Sequence, residues 1–232
     1  MKYLSAGTRL MGIVKDKKTI CRNWNLYVIT DLSMASPRTY PQIIHEVLLG
    51  GANVIQLRDK TTPFEQLIDI SRKFRPLFYE FGATFIVNDN PYLAKEVNAD
   101  GVHLGQEDTP VDIAREIVGD ECIIGLSTHS RTQVLKAMLQ DVDYIGLGPI
   151  YPTTTKSQPH KPLGLEMVAW GAREVRIPFI PIGGITSQNI CDVIRVGKTT
   201  PAVVSAVMKT PNLTEATRNL ISIISETRRE MS

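Results

Sequence analysis

Short apolar runs alternate with stretches of helical period along most of the chain. The runs are rich in β-branched and aromatic residues, which favour strands over helices when the run is short. From Leu26 onward they predict eight strands, at Leu26–Thr30, Val54–Arg58, Thr84–Asn88, Gly101–Leu104, Ile123–Ser127, Tyr144–Gly148, Phe179–Ile182 and Ala202–Ser205.

Helical segments separate these predicted strands. In the longest segment, apolar residues recur at helical spacing from Phe64 to Phe81. Pro76 lies inside it and is expected to bend or end the helix, because proline has no amide proton to donate. The other helices are predicted at Tyr40–Leu49, Pro91–Val97, Val111–Val118, Thr132–Leu139, Glu166–Val175, Ile190–Val196 and Thr214–Thr227.

A weak internal repeat supports one supersecondary unit used many times. The segments GGANVIQLR, NADGVHLG and DVDYIGLG each lead from a helix into a strand and end with an apolar pair and a leucine. Their leucines, Leu57, Leu104 and Leu147, lie 47 and 43 residues apart. Such recurrence is typical of a fold built from repeated βα units.

Eight strands alternating with eight helices predict an α/β fold, a single (βα)8 TIM barrel over residues 26–232. An open doubly wound sheet is the alternative, although its usual GxGxxG after the first strand is missing. Residues 1–25 show weak pattern and mixed charge. We interpret them as an N-terminal extension that either caps the barrel or frays.

Composition removes several classes of function. The 232 residues carry a net charge of +2, so no global field attracts nucleic acid or a membrane surface. The three cysteines lie far apart and form no zinc or disulfide pattern. No apolar run is long enough for a signal peptide or a membrane-spanning helix. A cytoplasmic location is therefore expected, and the sequence leaves open whether the chain forms a homo-oligomer.

Polar residues follow the ends of several predicted strands, where a barrel places its chemistry. Strand two ends with Gln56, Arg58 and Lys60, which share one face because their spacing is two. The alternative is a ladder of surface charges. Strands three and four lead to Asp89 and Asp108, each of which could instead cap the following helix.

The two aspartates predict a cation site if both face one barrel mouth. Carboxylates about 4 Å apart repel by roughly 4 kcal/mol at an effective dielectric of 20, and a hard cation removes that cost. Oxygen ligands without a His or Cys partner favour Mg²⁺ over zinc. We expect one Mg²⁺ per chain.

The segment from Asp143 to Lys156, DYIGLGPIYPTTTK, runs from a strand into three threonines and a lysine. Hydroxyl and ammonium groups at a strand end suit a polyanion, although a solvated loop is the alternative. Together with Arg58 and Lys60, Lys156 brings three positive charges, and Mg²⁺ would add two. The two negative charges of Asp89 and Asp108 reduce this positive charge to three. A net charge of three matches the roughly three negative charges of a pyrophosphate ester.

A second phosphate site is predicted after strands seven and eight. Loops at these positions of a barrel frequently bind a monophosphate through backbone N–H groups. Gly184 permits close approach to the backbone, and Ser205 adds a hydroxyl. The alternative for Gly183 and Gly184 is a tight turn between strand and helix.

Histidines and nucleophiles contribute little to the sequence interpretation. His103 lies within a strand and is interpreted as packed or solvated, and His129 as a supporting residue at best. His45 falls in a helix and His160 in a loop. No Ser/His/Asp or Cys/His set is legible, so the sequence predicts no protein nucleophile.

Seven segments, taken as a set, resemble thiamine-phosphate synthases. They are QLRDK at 56–60, VND at 87–89, ADGVHLGQED at 99–108, STH at 127–129, GPIYPTTTK at 148–156, IGGI at 182–185 and VSA at 204–206. The resemblance spans Leu26 to about Met208. It implies a barrel that couples a hydroxymethylpyrimidine diphosphate with a thiazole phosphate, giving thiamine monophosphate and pyrophosphate with magnesium assisting.

The resemblance also implies roles for individual residues. Arg58, Lys60, Ser127 and Lys156 would act in catalysis, and Asp89 and Asp108 would bind Mg²⁺. The pyrimidine diphosphate would be held by Gln56, Leu57, Arg58, Asp59, Lys60, Asn88, Ser127 and Lys156. The thiazole phosphate would be held by Thr153, Thr154, Thr155, Gly184, Val204 and Ser205.

Departures from the family pattern and two rival functions complete the interpretation. Asn90 stands where the family usually has arginine, and residues 198–201 replace the usual small-Asp-Gly approach to strand eight. A related thiazole tautomerase would need neither the TTTK segment nor both aspartates. A phosphate-ligand sensor without turnover is the rival from another class.

Overall fold

Eight parallel strands and their helices form a TIM barrel, which confirms the predicted fold class. The computed structural model describes residues 16–153 and 161–231. The strands are β1 (Tyr27–Ile29), β2 (Val54–Leu57), β3 (Thr84–Asn88), β4 (Gly101–Leu104), β5 (Ile123–Thr128), β6 (Tyr144–Leu147), β7 (Phe179–Pro181) and β8 (Ala202–Val203).

Helices surround this barrel and also lie at its ends. Their bounds are α1 (Lys17–Arg22), α2 (Tyr40–Leu49), α3 (Phe64–Phe81), α4 (Pro91–Glu96), α5 (Val111–Val118), α6 (Arg131–Ala137), α7 (Gly164–Glu174), α8 (Ile190–Gly197), α9 (Ser205–Met208) and α10 (Leu213–Glu230). No helix within residues 16–153 and 161–231 combines the length and apolar character needed to cross a bilayer.

The strand order closes the sheet on itself. Strands β1 to β7 pair in sequence, and β8 pairs with β1 through Val28 and Val203. A bridge between Ile182 and Ala202 joins the end of β7 to β8. All pairs are parallel, so the carboxyl ends of the strands meet at one rim.

Several predicted boundaries are wrong in detail. The predicted last strand, Ala202–Ser205, is only two residues long, and Ser205 instead begins α9. Pro76 does not end α3, which continues to Phe81. Burial of Phe74 and Phe78 beside Phe85 stabilises this helix across the proline, although proline costs about 3 kcal/mol in a helix interior.

Side chains alternate between two apolar layers along each strand. Residues such as Val54 and Ile86 lie inside the barrel, whereas Val28 and Ile55 pack between the strands and the surrounding helices. Inside the barrel, Gly125 leaves space for the buried ring of Tyr144, because a Cβ at this position would lie 2.1 Å from Tyr144 Cζ.

Residues 16–25 complete the amino end of the barrel. Asp16 caps α1 by accepting a hydrogen bond from the Thr19 amide. Trp24 is 2% exposed and donates a hydrogen bond of 3.0 Å from its indole nitrogen to Thr84 Oγ1. Its ring also contacts Tyr27. This part of the N-terminal extension therefore belongs to the core that fills the barrel.

We expect Trp24→Ala to lower the free energy of unfolding by about 3–5 kcal/mol, because it leaves a cavity inside the barrel and an unpartnered Thr84 hydroxyl. Denaturant unfolding followed by circular dichroism measures the change. Trp170→Ala is the matched control, since Trp170 is half-buried on α7, and it should cost clearly less. Equal losses would contradict the assignment of Trp24 to the barrel core.

Candidate active site

A cavity opens at the carboxyl ends of the strands and is lined by half of the predicted site residues. Its wall includes the interior end of the barrel and the loops after β6, β7 and β8. The predicted residues that line it are Gln56, Arg58, Asn88, Ser127, Thr153, Gly184, Val204 and Ser205. Thr154, Thr155 and Lys156 lie outside the described residues.

Two cations from the loop after β2 lie on one side of this mouth. The guanidinium of Arg58 approaches Asp31 at 3.4 Å, and the Arg58 amide donates to Thr30 Oγ1. The Lys60 ammonium lies 3.1 Å from Asp89 Oδ2. The loop therefore presents positive charge to both the cavity and the neighbouring strand end.

Asp89 and Asp108 are brought together at this rim. The pKa of the Asp89 carboxyl is raised by its burial and then by the hydrogen bond and negative charge of Asp108, while Lys60 acts in the opposite direction. The backbone of Asp89 is left-handed, with φ of 64°. Two adjacent carboxylates of this kind either share a proton or bind a cation.

Neither aspartate caps the helix that follows it. Asn90 is the N-cap of α4 and accepts a hydrogen bond of 3.0 Å from the Leu93 amide. Pro110 occupies the N-cap of α5, whereas Asp108 accepts from the Gly105 amide at 2.6 Å within its own loop. The helix-cap alternative is therefore wrong for both residues. The hydrogen bond from the Leu93 amide also explains why an asparagine stands at position 90.

Asp59 shapes the loop that carries the two cations. Its carboxylate accepts hydrogen bonds from the amides and hydroxyls of Thr61 and Thr62 and from the hydroxyl of Tyr40. These donors outweigh the effect of partial burial and lower its pKa to about 2. The carboxylate is thus occupied by hydrogen bonds inside the loop that carries Arg58 and Lys60, and it holds that loop in shape.

Leu57 differs from its neighbours in the direction of its side chain. It is 2% exposed and belongs to the apolar layer between strands and helices, on the opposite face of β2 from Gln56. Its side chain is therefore turned away from the cavity. Only its backbone could contribute to ligand binding.

The loops after β7 and β8 expose backbone on the other side of the cavity. Gly184 has a φ of 65°, and a Cβ at this position would lie 2.5 Å from Pro152 O. Asn189 donates a hydrogen bond to Gly184 O and fixes the turn. Val204 and Ser205 face the same cavity. This side contains glycine backbone and a hydroxyl rather than charge.

Side chains inside the barrel form a polar floor that the sequence interpretation missed. His103 contacts Ser127 Oγ and the Tyr144 hydroxyl, each at 2.9 Å. His129 donates from Nδ1 to Gly148 O at 2.5 Å. The strict alternation of β4 and β6 would have placed His103 and Tyr144 inside the barrel, and that was the available signal.

Comparison with known proteins gives one consistent result. The family model described as thiamine monophosphate synthase matches residues 26–207. A thiamine-phosphate synthase of Dictyoglomus thermophilum is 41% identical over 209 residues, covering 90% of this chain and 94% of the relative. One of Caldicellulosiruptor saccharolyticus is 37% identical over 217 residues, covering 93% of this chain and 98% of the relative.

A solved structure shares both sequence and architecture with the chain. The thiamine phosphate pyrophosphorylase from Pyrococcus furiosus is 36% identical, with a TM-score of 0.82 over 90% of this chain and 98% of that one. The resemblance inferred from the seven sequence segments is confirmed. The chain belongs to the thiamine monophosphate synthase family.

Proposed function

We propose that the chain couples 4-amino-2-methyl-5-(diphosphooxymethyl)pyrimidine with a thiazole phosphate, forming thiamine monophosphate and releasing pyrophosphate. The observation that carries the proposal is a charged cluster at the carboxyl ends of β2, β3 and β4. Arg58 lines the cavity. Lys60 pairs with Asp89, and Asp89 lies against Asp108. Family membership fixes the class of enzyme, a transferase of thiamine biosynthesis.

The cations stabilise the departing diphosphate. As the bond between the methylene carbon and the diphosphate oxygen breaks, the electron pair leaves with pyrophosphate, and the carbon becomes cationic. Arg58 and Lys60 interact more strongly with the leaving group as its charge grows, which lowers the barrier rather than merely tightening binding. We assign Lys156 the same role by family resemblance.

The aspartate pair fits a magnesium ion. Asp89 and Asp108 would hold it as oxygen ligands. Burial and then the neighbouring Asp108 raise the pKa of Asp89, and a bound cation would relieve the repulsion between the two carboxylates. Among the described residues no third His, Cys, Asp or Glu joins them, so further ligands would come from diphosphate and water. When bound, the ion would neutralise charge on the leaving diphosphate.

The nucleophile belongs to the substrate. The thiazole nitrogen gives its lone pair to the methylene carbon, so the new C–N bond replaces the broken C–O bond and the ring becomes a thiazolium cation. The protein holds both partners in line, which contributes on the order of 7 kcal/mol or more. Cys122 supplies no nucleophile, because burial raises its pKa to about 12 and it precedes β5 at the opposite end of the barrel.

The two substrates divide the cavity. We assign Gln56, Asn88 and Ser127, which line the cavity, to the pyrimidine diphosphate. We assign the thiazole phosphate to four other residues that line the cavity, Thr153, Gly184, Val204 and Ser205. Thr154 and Thr155 are assigned to the same substrate by resemblance. The free thiols of Cys21, Cys122 and Cys191 suit a reducing compartment and support a cytoplasmic location.

Coupling is tested by incubating the protein with both substrates and Mg²⁺ and following thiamine monophosphate and pyrophosphate. Asp108→Asn keeps an acceptor for the Gly105 amide but removes the charge, so kcat/KM should fall about 100-fold and respond only weakly to added Mg²⁺. Asp112→Asn, on the exposed face of α5, is the control and should behave like the unmodified protein.

Unchanged turnover and magnesium dependence in Asp108→Asn would remove the metal assignment. Isomerised thiazole without coupling would indicate a tautomerase. Binding without any product would indicate a sensor, and either result would overturn the proposed reaction.

We expect Ser205→Ala to raise KM for the thiazole phosphate roughly tenfold with little change in kcat, because one hydrogen bond to a charged phosphate is lost. Steady-state kinetics with the pyrimidine diphosphate saturating measures both constants. Ser222→Ala on the exposed face of α10 is the matched control. An unchanged KM in Ser205→Ala would exclude the serine from the phosphate site.

A further inference from the structure

Five side chains form one hydrogen-bonded chain across the interior of the barrel. Gln56 Nε2 contacts the Tyr27 hydroxyl at 2.9 Å, and that hydroxyl lies 2.8 Å from the hydroxyl of Tyr144. Tyr144 contacts His103 Nδ1 at 2.9 Å, and His103 Nε2 contacts Ser127 Oγ at 2.9 Å. This hydrogen-bonded chain starts at Gln56 and ends at Ser127, and both residues line the cavity.

The members of this chain cannot be oriented independently. A tyrosine hydroxyl has one proton, so when it accepts from one neighbour it donates to the other. A neutral imidazole donates from one nitrogen and accepts at the other. Each bond therefore fixes the direction of the next, and two opposite directions are available to the chain as a whole.

Gln56 selects between these directions because its amide has a nitrogen that only donates and an oxygen that only accepts. Here the nitrogen faces Tyr27. Tyr27 therefore donates to Tyr144, and Tyr144 donates to His103 Nδ1. The proton of His103 is then on Nε2 and is donated to Ser127.

We propose that His103 is a positioning residue held in its neutral Nε2–H tautomer, and that the chain sets the hydrogen-bonding character of the cavity at both ends. At one end, Gln56 presents its carbonyl oxygen as an acceptor. At the other, Ser127 accepts from His103, so its own proton is directed elsewhere as a donor.

The surroundings of the two tyrosines support this arrangement. Both are almost completely buried, and burial raises the pKa of each hydroxyl well above its usual range. Both hydroxyls therefore keep their protons, as the directed chain requires. Packing also restrains them, since the Tyr27 and Tyr144 rings both contact Trp24.

The arrangement deepens the proposed function and rests on it for the identity of the ligand. A 4-aminopyrimidine brings a donor that matches the Gln56 oxygen, and an oxygen of its side arm brings an acceptor for Ser127. A 4-oxopyrimidine brings an acceptor instead of the amine. It would bind well only if the amide of Gln56 turned over, which would reverse every bond of the chain.

The tautomer can be read without ligand by ¹⁵N NMR of protein labelled at histidine, with His103 assigned by the signal missing in His103→Asn. The unmodified protein should show an unprotonated Nδ1 and a protonated Nε2. A protonated Nδ1, or an average of the two tautomers, would overturn the proposal.

Tyr27→Phe cuts the chain while keeping the aromatic ring, so it should allow both tautomers and shift both ring signals toward their average. Tyr151→Phe is the matched control, because the buried Tyr151 hydroxyl has no hydrogen-bond partner among residues 16–153 and 161–231 and lies outside the hydrogen-bonded chain. It should leave the signals of His103 unchanged. Signals of the unmodified protein retained in Tyr27→Phe would show that Gln56 does not set the tautomer.

Binding of two alcohols without diphosphate tests the consequence for the ligand. The unmodified protein should bind 4-amino-2-methyl-5-hydroxymethylpyrimidine at least roughly tenfold more tightly than its 4-oxo counterpart, and Tyr27→Phe should lose most of this preference. The same preference in both proteins would show that the hydrogen-bonded chain does not set the choice of ligand, and would overturn this part of the proposal. Failure of both alcohols to bind would overturn the ligand assignment and count against the proposed function, whereas the NMR result decides the tautomer separately.

Discussion

The closed ring of parallel strands is the constraint on which the site depends. The loops after β7 and β8 face the loop after β2 across one cavity because β8 returns to pair with β1 and a bridge from Ile182 to Ala202 completes the ring. Parallel pairing then carries every strand in the same direction. Arg58, Asp89 and Asp108 share an edge for this reason, and not because of any direct attraction along the chain.

Within the barrel, charged side chains and neutral polar side chains lie at different depths. The charged groups lie at the rim, where partial exposure reduces the cost of desolvating them. The barrel interior instead contains hydroxyl, amide and imidazole groups, which can be satisfied by hydrogen bonds without net charge. A diphosphate ester has the same division, with its charge at one end and a neutral heterocycle at the other.

The period of the sequence was enough to predict the barrel, since eight apolar runs at near-regular intervals leave few other folds. Strand ends such as Gln56 and Arg58 could be placed by alternation alone. The contribution of Trp24 could not, because α1 is short and its burial depends on tertiary contacts inside the barrel. The orientation of the Asp59 carboxylate could not be predicted either, because its hydrogen bonds with Thr61 and Thr62 set that orientation.

The burial of Trp24 determines by which end of the barrel ligands reach the cavity. Its ring fills the amino end of the barrel together with Tyr27 and Tyr144, so within the described residues both substrates and both products pass through the carboxyl rim. A ligand seated on the polar floor lies beneath whatever occupies the loops above it. The joined product must therefore leave past the same loops that admit the two substrates.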